Sequence, residues 1–158
     1  MKVNLESPPE CILADFKISA LQLVTKPRKP ASSGLDVECL FCPEKDADER
    51  YSVRLGISYA GGRGKKTFSL RVVVNGYFQW RGGYKQKEGN AFLAWVNGGT
   101  ILYGLVRATV SELTASSECG RVVLPTVMMV DIVRAQINAA IGSKGEASST
   151  APNPGKKA

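Results

Sequence analysis

Two alternating stretches joined by a glycine-rich turn constrain this chain more than any other feature. Tyr51, Val53, Leu55, Ile57 and Tyr59 alternate with Ser52, Arg54, Gly56 and Ser58. A period of two is that of an extended strand with one buried and one wet face. Thr67 to Trp80 repeats it, with Phe68, Leu70, Val72 and Val74 opposed to Ser69, Arg71 and Val73. Between them Ala60-Gly61-Gly62-Arg63-Gly64-Lys65-Lys66 is a hairpin turn. It is not a phosphate loop, because G-x-x-x-x-G-K needs glycine where Tyr59 stands. A lone hairpin is marginal in water, so these strands need neighbours and a covering layer.

The neighbours lie upstream. Phe16 to Thr25 alternates, with Phe16, Ile18 and Ala20 on one side and Lys17, Ser19 and Leu21 on the other. The segment from Lys26 to Gly34 holds two prolines and Ser-Ser-Gly, a loop. Leu35, Val37, Cys39 and Phe41 alternate with Asp36, Glu38, Leu40 and Cys42 in a further strand, and Pro43 to Arg50 is a charged turn.

The covering layer is downstream. Ile101, Leu102, Leu105, Val106, Val110 and Leu113 recur at three- and four-residue intervals, one apolar stripe of a helix that includes Asn97. Gly98, Gly99 and Gly104 interrupt it, and each costs about 1 kcal/mol against Ala inside a helix. Three such residues point to close approach of another backbone. Gly120 is a C-cap candidate, Arg121 to Leu124 a short strand, and Pro125 the start of a second helix over Val127 to Ile141. The expected fold is α+β: a four-stranded antiparallel sheet with a long helix and a C-terminal helix on one face. Residues 1–14 form a flexible lead-in, 15–141 the domain, and 142–158 a small, polar, Pro-containing disordered tail.

Composition narrows the function classes. The chain has no His, no G-x-S-x-G and no dinucleotide fingerprint, so catalysis has no evident centre. Acids concentrate in the Glu44–Glu49 turn, a solvated turn rather than a metal site. Cys39 and Cys42 make a C-x-x-C, but in a strand residues three apart point to opposite faces. With no His, only Cys11 and Cys119 could complete a zinc site, so buried structural thiols are expected and no metal or cofactor. No apolar run approaches the roughly 18 residues of a membrane span, and Met1 to Glu10 lacks a signal-peptide core. A cytoplasmic location follows. The net charge of +7, with 21 Lys and Arg against 14 Asp and Glu, keeps a nucleic-acid-binding module as an alternative. Its basic clusters are Lys26-Arg28-Lys29, Arg63-Lys65-Lys66, Arg81-Lys85-Lys87 and Lys156-Lys157, all in turns and a tail where solvated lysines are ordinary.

One combination is more specific. Asn97, the block Ile101-Leu102-Tyr103 with Arg107, then Leu113-Thr114 and Leu124-Pro125, together with Gly76-Tyr77-Phe78 ending a strand, resembles the SecB family of export chaperones and their SecB-like relatives. The resemblance spans roughly Phe16 to Gln136. Gly104 replaces the family's usual Pro, Ala108 its Glu, and Met128-Met129 its Asn-Phe. The resemblance implies an ATP-independent holdase that binds unfolded client polypeptides without catalysis. Leu35, Val37 and Cys39 of the second strand and Met129, Ile132 and Val133 of the last helix would line the client groove. Met-rich apolar surface suits varied partners. Met129→Asp or Val133→Asp would then abolish client protection in a folded protein. The resemblance also implies a homotetrameric dimer of dimers built on the first strand and the long helix, with Gly98, Gly99, Gly104 and Leu105 at its contacts. Exporting members are acidic where the translocase motor SecA docks its basic, zinc-bearing tail, whereas this chain is basic and has Arg71 there. Like charges cost affinity and on-rate, which argues against hand-off to the motor. A dedicated chaperone for one client, such as an antitoxin, is the alternative within the class.

Overall fold

A computed structural model describes residues 11–27, 34–44, 49–63, 66–80 and 90–146 of the 158-residue chain. Its elements are β1 (Cys11–Pro27), β2 (Gly34–Pro43), β3 (Arg50–Arg63), β4 (Lys66–Trp80), α1 (Asn90–Thr114) and α2 (Met129–Glu146). The strands form one antiparallel sheet in the order β1-β4-β3-β2, so β1 and β2 are its edges. The α+β architecture expected from the sequence is present. β1 begins at Cys11, inside the stretch read as a lead-in, and α2 ends at Glu146, past the expected Ile141. Residues 1–10 and 147–158 lie outside the described residues.

The core forms where the alternation places it. Tyr51, Val53, Leu55 and Ile57 of β3 and Leu70, Val72, Val74 and Phe78 of β4 are at most 1% exposed. Tyr51 stacks on Phe78 with ring centroids 5.1 Å apart and an interplanar angle of 8°. Aromatic pairs in such offset geometry add to area burial. Ala94, Gly98, Leu102, Val106, Val110 and Thr114 recur every four residues along the buried stripe of α1. The helix packs on β2, β3 and β4, while α2 packs on α1 and β2.

Glycines let α1 sit close. A Cβ on Gly98 would lie 2.7 Å from Val53 Cγ2 and 3.2 Å from Phe78 Cε2; one on Gly76 of β4 would lie 2.7 Å from Leu102 Cδ2. Gly99 faces the other way round the helix, where a Cβ would be 2.9 Å from both Cys39 Sγ and Met129 Sδ. The backbone approach expected from these glycines is therefore made to this chain's own sheet and second helix. A Cβ on Gly104 would meet nothing within 4 Å.

Three local expectations are corrected. The strand expected at Arg121–Leu124 is not formed: the segment is extended, with Val122 and Leu124 buried, but it joins no ladder. Thr114 explains why, since its hydroxyl accepts the Val122 N–H at 2.7 Å and donates to the Val110 carbonyl at 2.7 Å. α2 begins at Met129, not at Val127 after Pro125. The Pro125 carbonyl accepts the Tyr103 hydroxyl at 2.6 Å, and the Met128 carbonyl accepts the first helical amides of Asp131 and Ile132. Gly120 does adopt a left-handed φ of 71°, but it closes the turn after α1 rather than the helix itself, which ends at Thr114.

A further correction concerns β1. Its pairing with β4 shifts register between Leu13 and Asp15 and again between Ile18 and Ala20. Each bulge inserts one residue and exchanges the faces beyond it. Residues directly opposite one another share a face. Phe16, Ile18 and Leu21 oppose Gly76, Val74 and Val72 and so lie together on the helix-covered face, while Ala20 opposes Val73 on the other. The simple alternation puts Leu21 and Ala20 on the wrong sides.

Candidate functional site

β2 and α2 meet at the free edge of the sheet. Leu35, Val37, Cys39 and Phe41 of β2 point toward the helices, and the buried row of α2 begins with Met129 and Val133. Cys39, Met129 and Val133, all expected to face a groove, are only 0%, 4% and 0% exposed. They sit in the core, with Gly99 packed against Cys39 and Met129, so they line no surface at this edge. Leu35, Val37 and Ile132 are partly buried and keep accessible apolar surface at this edge. A carboxylate at Met129 or Val133 would be buried without a partner, which destabilises the fold itself. Met129→Asp and Val133→Asp therefore unfold the protein rather than leave it folded without client protection, contrary to the sequence-based expectation. At the Gly34 end of β2 an open hollow of about 410 Å³ lies among Leu35, Tyr59, Leu70 and Arg71.

Two side chains that the sequence reading did not single out organise this edge. Gln136 of α2 accepts the Cys39 N–H at 3.2 Å, and the Trp95 indole N–H donates to the Cys39 carbonyl at 3.0 Å. Gln136 lies one helical turn beyond Ile132, so both belong to the flank of α2 that faces β2. No sequence signal separates Gln136 from the other polar residues of this helix, Asp131, Arg134 and Asn138. Trp95 lies in the first turns of α1, ahead of the Asn97 from which the helix is legible.

The thiols do not form a centre. Cys39 is buried and Cys42 exposed, on opposite sides of the strand as the spacing requires. Burial pushes the Cys39 thiol up from 9.0 to about 11, which disfavours the thiolate that redox and metal chemistry use. The Cys11 thiol is also raised by burial, against a 2.6 Å contact with the Tyr51 hydroxyl. Among the described residues no group of three His, Cys, Asp or Glu could hold a metal ion, and no helix is long and apolar enough to cross a membrane.

Two further surfaces are set by the strands. On the helix side of β1, Phe16, Ile18 and Leu21 are 43%, 37% and 43% exposed, a row of large apolar side chains beyond the reach of α1 and α2 packing on β2, β3 and β4. The outer flank of α1 carries exposed Leu93, Thr100, Ile101, Gly104 and Ala108, with Leu105 half-buried beside them. Gly104 and Leu105 thus face outward, whereas Gly98 and Gly99 are used inside the chain. The opposite face of the sheet presents Lys17, Arg54 and Arg71 together with Asp15, Asp36 and Glu38, all exposed. Of the basic clusters, residues 28, 29, 65, 81, 85, 87, 156 and 157 lie outside the described residues.

No protein-family model matches the chain, and no curated protein matches its sequence. Its fold does match solved structures. A SecB-like chaperone from Mycobacterium tuberculosis, solved in complex with a ChAD peptide from an antitoxin, superposes with a TM-score of 0.58 over 75% of this chain and 88% of that one, at 15% identity. A protein of unknown function from Streptococcus agalactiae superposes with a TM-score of 0.47 over 74% of this chain and 98% of that one, also at 15% identity. The fold is SecB-like.

Proposed function

We propose that this protein is an ATP-independent chaperone that holds unfolded polypeptide along the edge formed by β2 and α2. The observation that carries the reading is the accessible apolar surface of Leu35, Val37 and Ile132 on a free sheet edge, in a fold shared with a chaperone that has been solved with a peptide. Apolar contact supplies affinity without sequence readout, and an unpaired strand edge supplies backbone contacts that any extended chain satisfies. The test substitutes the accessible positions. Leu35→Asp and Ile132→Asp are expected to keep the circular dichroism of the parent and to lose most suppression of client aggregation. Full suppression by either folded variant refutes the site.

A single dedicated client is favoured over hand-off to the export motor. Lys17, Arg54 and Arg71 stand on the exposed sheet face and offset Asp15, Asp36 and Glu38 there, so a basic docking tail meets no net acidic surface, and the whole chain carries +7. The Mycobacterium neighbour, with its antitoxin peptide, offers a model for such a client. In this reading the protein works as a homo-oligomer, with the exposed row Phe16, Ile18 and Leu21 of β1 and the outer flank of α1 covered by further copies. Exposed apolar patches of this kind mark interaction surfaces. A nucleic-acid-binding role would instead show binding that falls steeply with salt.

A further inference from the structure

In an antiparallel ladder each residue turns its N–H and C=O both toward the neighbouring strand or both away from it, and the two kinds alternate. Cys39 pairs with Leu55 of β3 yet gives its N–H to Gln136 and its carbonyl to Trp95, so both groups point to the free edge. By alternation Leu35, Val37 and Phe41 point theirs the same way. None of these three has a hydrogen-bond partner for those groups among the described residues. Among the described residues the edge of β2 is therefore open at Leu35 and Val37, closed at Cys39 and open again at Phe41. The groups that fit an open edge are the N–H and C=O of another extended chain, which repeat at the same spacing.

Resting on the chaperone reading, we infer that Gln136 and Trp95 are specificity-determining residues that act as a ladder stop. A client segment adds as a strand beside Gly34–Val37 and cannot pair past Cys39, because its backbone would have to displace two side chains anchored on α2 and α1. The stop sets how many residues of a client are ordered and in which register. Short pairing keeps binding reversible, and it blocks the unlimited edge-to-edge addition to which long bare strands are prone. On its inner face the added strand carries apolar side chains beside Ile132. On its outer face it meets exposed Asp36 and Glu38.

Amide hydrogen exchange of the full chain tests this, with a reduced and alkylated protein that stays unfolded as the probe. The expected result is that the probe slows exchange at Leu35 and Val37 by about fivefold to tenfold, the scale of one net hydrogen bond each. Cys39 is slow with or without it, and Phe41 is unchanged. In Gln136→Ala the Cys39 amide becomes fast alone and slow with the probe, and protection spreads to Phe41. Trp95→Phe, which keeps a ring in place and removes only the donor, shifts the boundary the same way should Gln136→Ala fail to fold. Binding of the probe with no change at Leu35 and Val37, or with the same boundary in folded variants, overturns the ladder stop and leaves the chaperone. Absence of probe binding overturns both.

Discussion

Gly98→Ala isolates the close approach of α1 to the sheet. The added methyl would lie 2.7 Å from Val53 Cγ2 and 3.2 Å from Phe78 Cε2. Carbon atoms prefer about 3.5–4.0 Å, so roughly 1 Å of overlap must be relieved. Val53 is fully buried and β-branched, with little rotamer freedom, and Phe78 is held by its stack on Tyr51. Overpacking of this kind costs about 1–3 kcal/mol, and the better helix propensity of Ala returns about 1 kcal/mol. An overlap of this size against fully buried side chains belongs to the upper part of that range, about 2–3 kcal/mol, so the net expectation is a loss of about 1–2 kcal/mol. Gly104→Ala is the matched control, since its methyl meets nothing within 4 Å and only the propensity gain of about 1 kcal/mol remains. Urea unfolding followed by circular dichroism reads both, with the Gly98→Ala midpoint expected about 0.5–1 M lower. An unchanged or raised midpoint for Gly98→Ala refutes the packing argument.

Alkaline stability follows from Cys39. Its folded pKa is about 11 against 9.0 for the unfolded thiol, so the folded protein holds this proton more tightly. That contribution, about 3 kcal/mol at most, is complete below pH 9 and is lost as pH rises toward 11. Cys39→Ala should show a shallower loss of stability over that window than Cys42→Ala, whose thiol is exposed; equal slopes contradict the assignment. Association through β1 is tested by Ile18→Lys combined with Leu21→Lys, on the helix-side face of the strand. The pair should lower the mass measured by light scattering while far-ultraviolet dichroism is kept, and an unchanged mass excludes this face from the contact. Ala20→Lys, on the opposite face by virtue of the bulge, should leave the mass unaltered.

The sheet was legible because its strands alternate over long runs. Tyr51 to Tyr59 and Phe68 to Val74 announce both their conformation and their buried face. β1 was legible as a strand but not in its facing, since bulges inside a run of mixed polarity leave no composition signal; Ser19 and Ala14 look like any other alternation residue. Arg121 to Leu124 shows the converse. Its alternating burial is that of a strand, but its amide at Val122 is taken by a threonine hydroxyl from α1, a tertiary partnership that no local pattern records. At the candidate site the residues expected to line a groove lie at different depths. Leu35, Val37 and Ile132 are accessible, while Cys39, Met129 and Val133 are the layer beneath, because apolar periodicity does not separate core from groove wall. The same ambiguity held for the glycines, of which Gly98 and Gly99 serve internal packing and Gly104 faces outward.

The central claim is that accessible apolar surface at the β2–α2 edge holds unfolded polypeptide. Its most direct test is aggregation of an unfolded client with and without the purified protein, at low salt and at about 0.3 M salt, where exposed charges are largely screened. Suppression that is equal at both salts is the predicted result. Absence of suppression at either salt, or suppression that vanishes at the higher one, contradicts it.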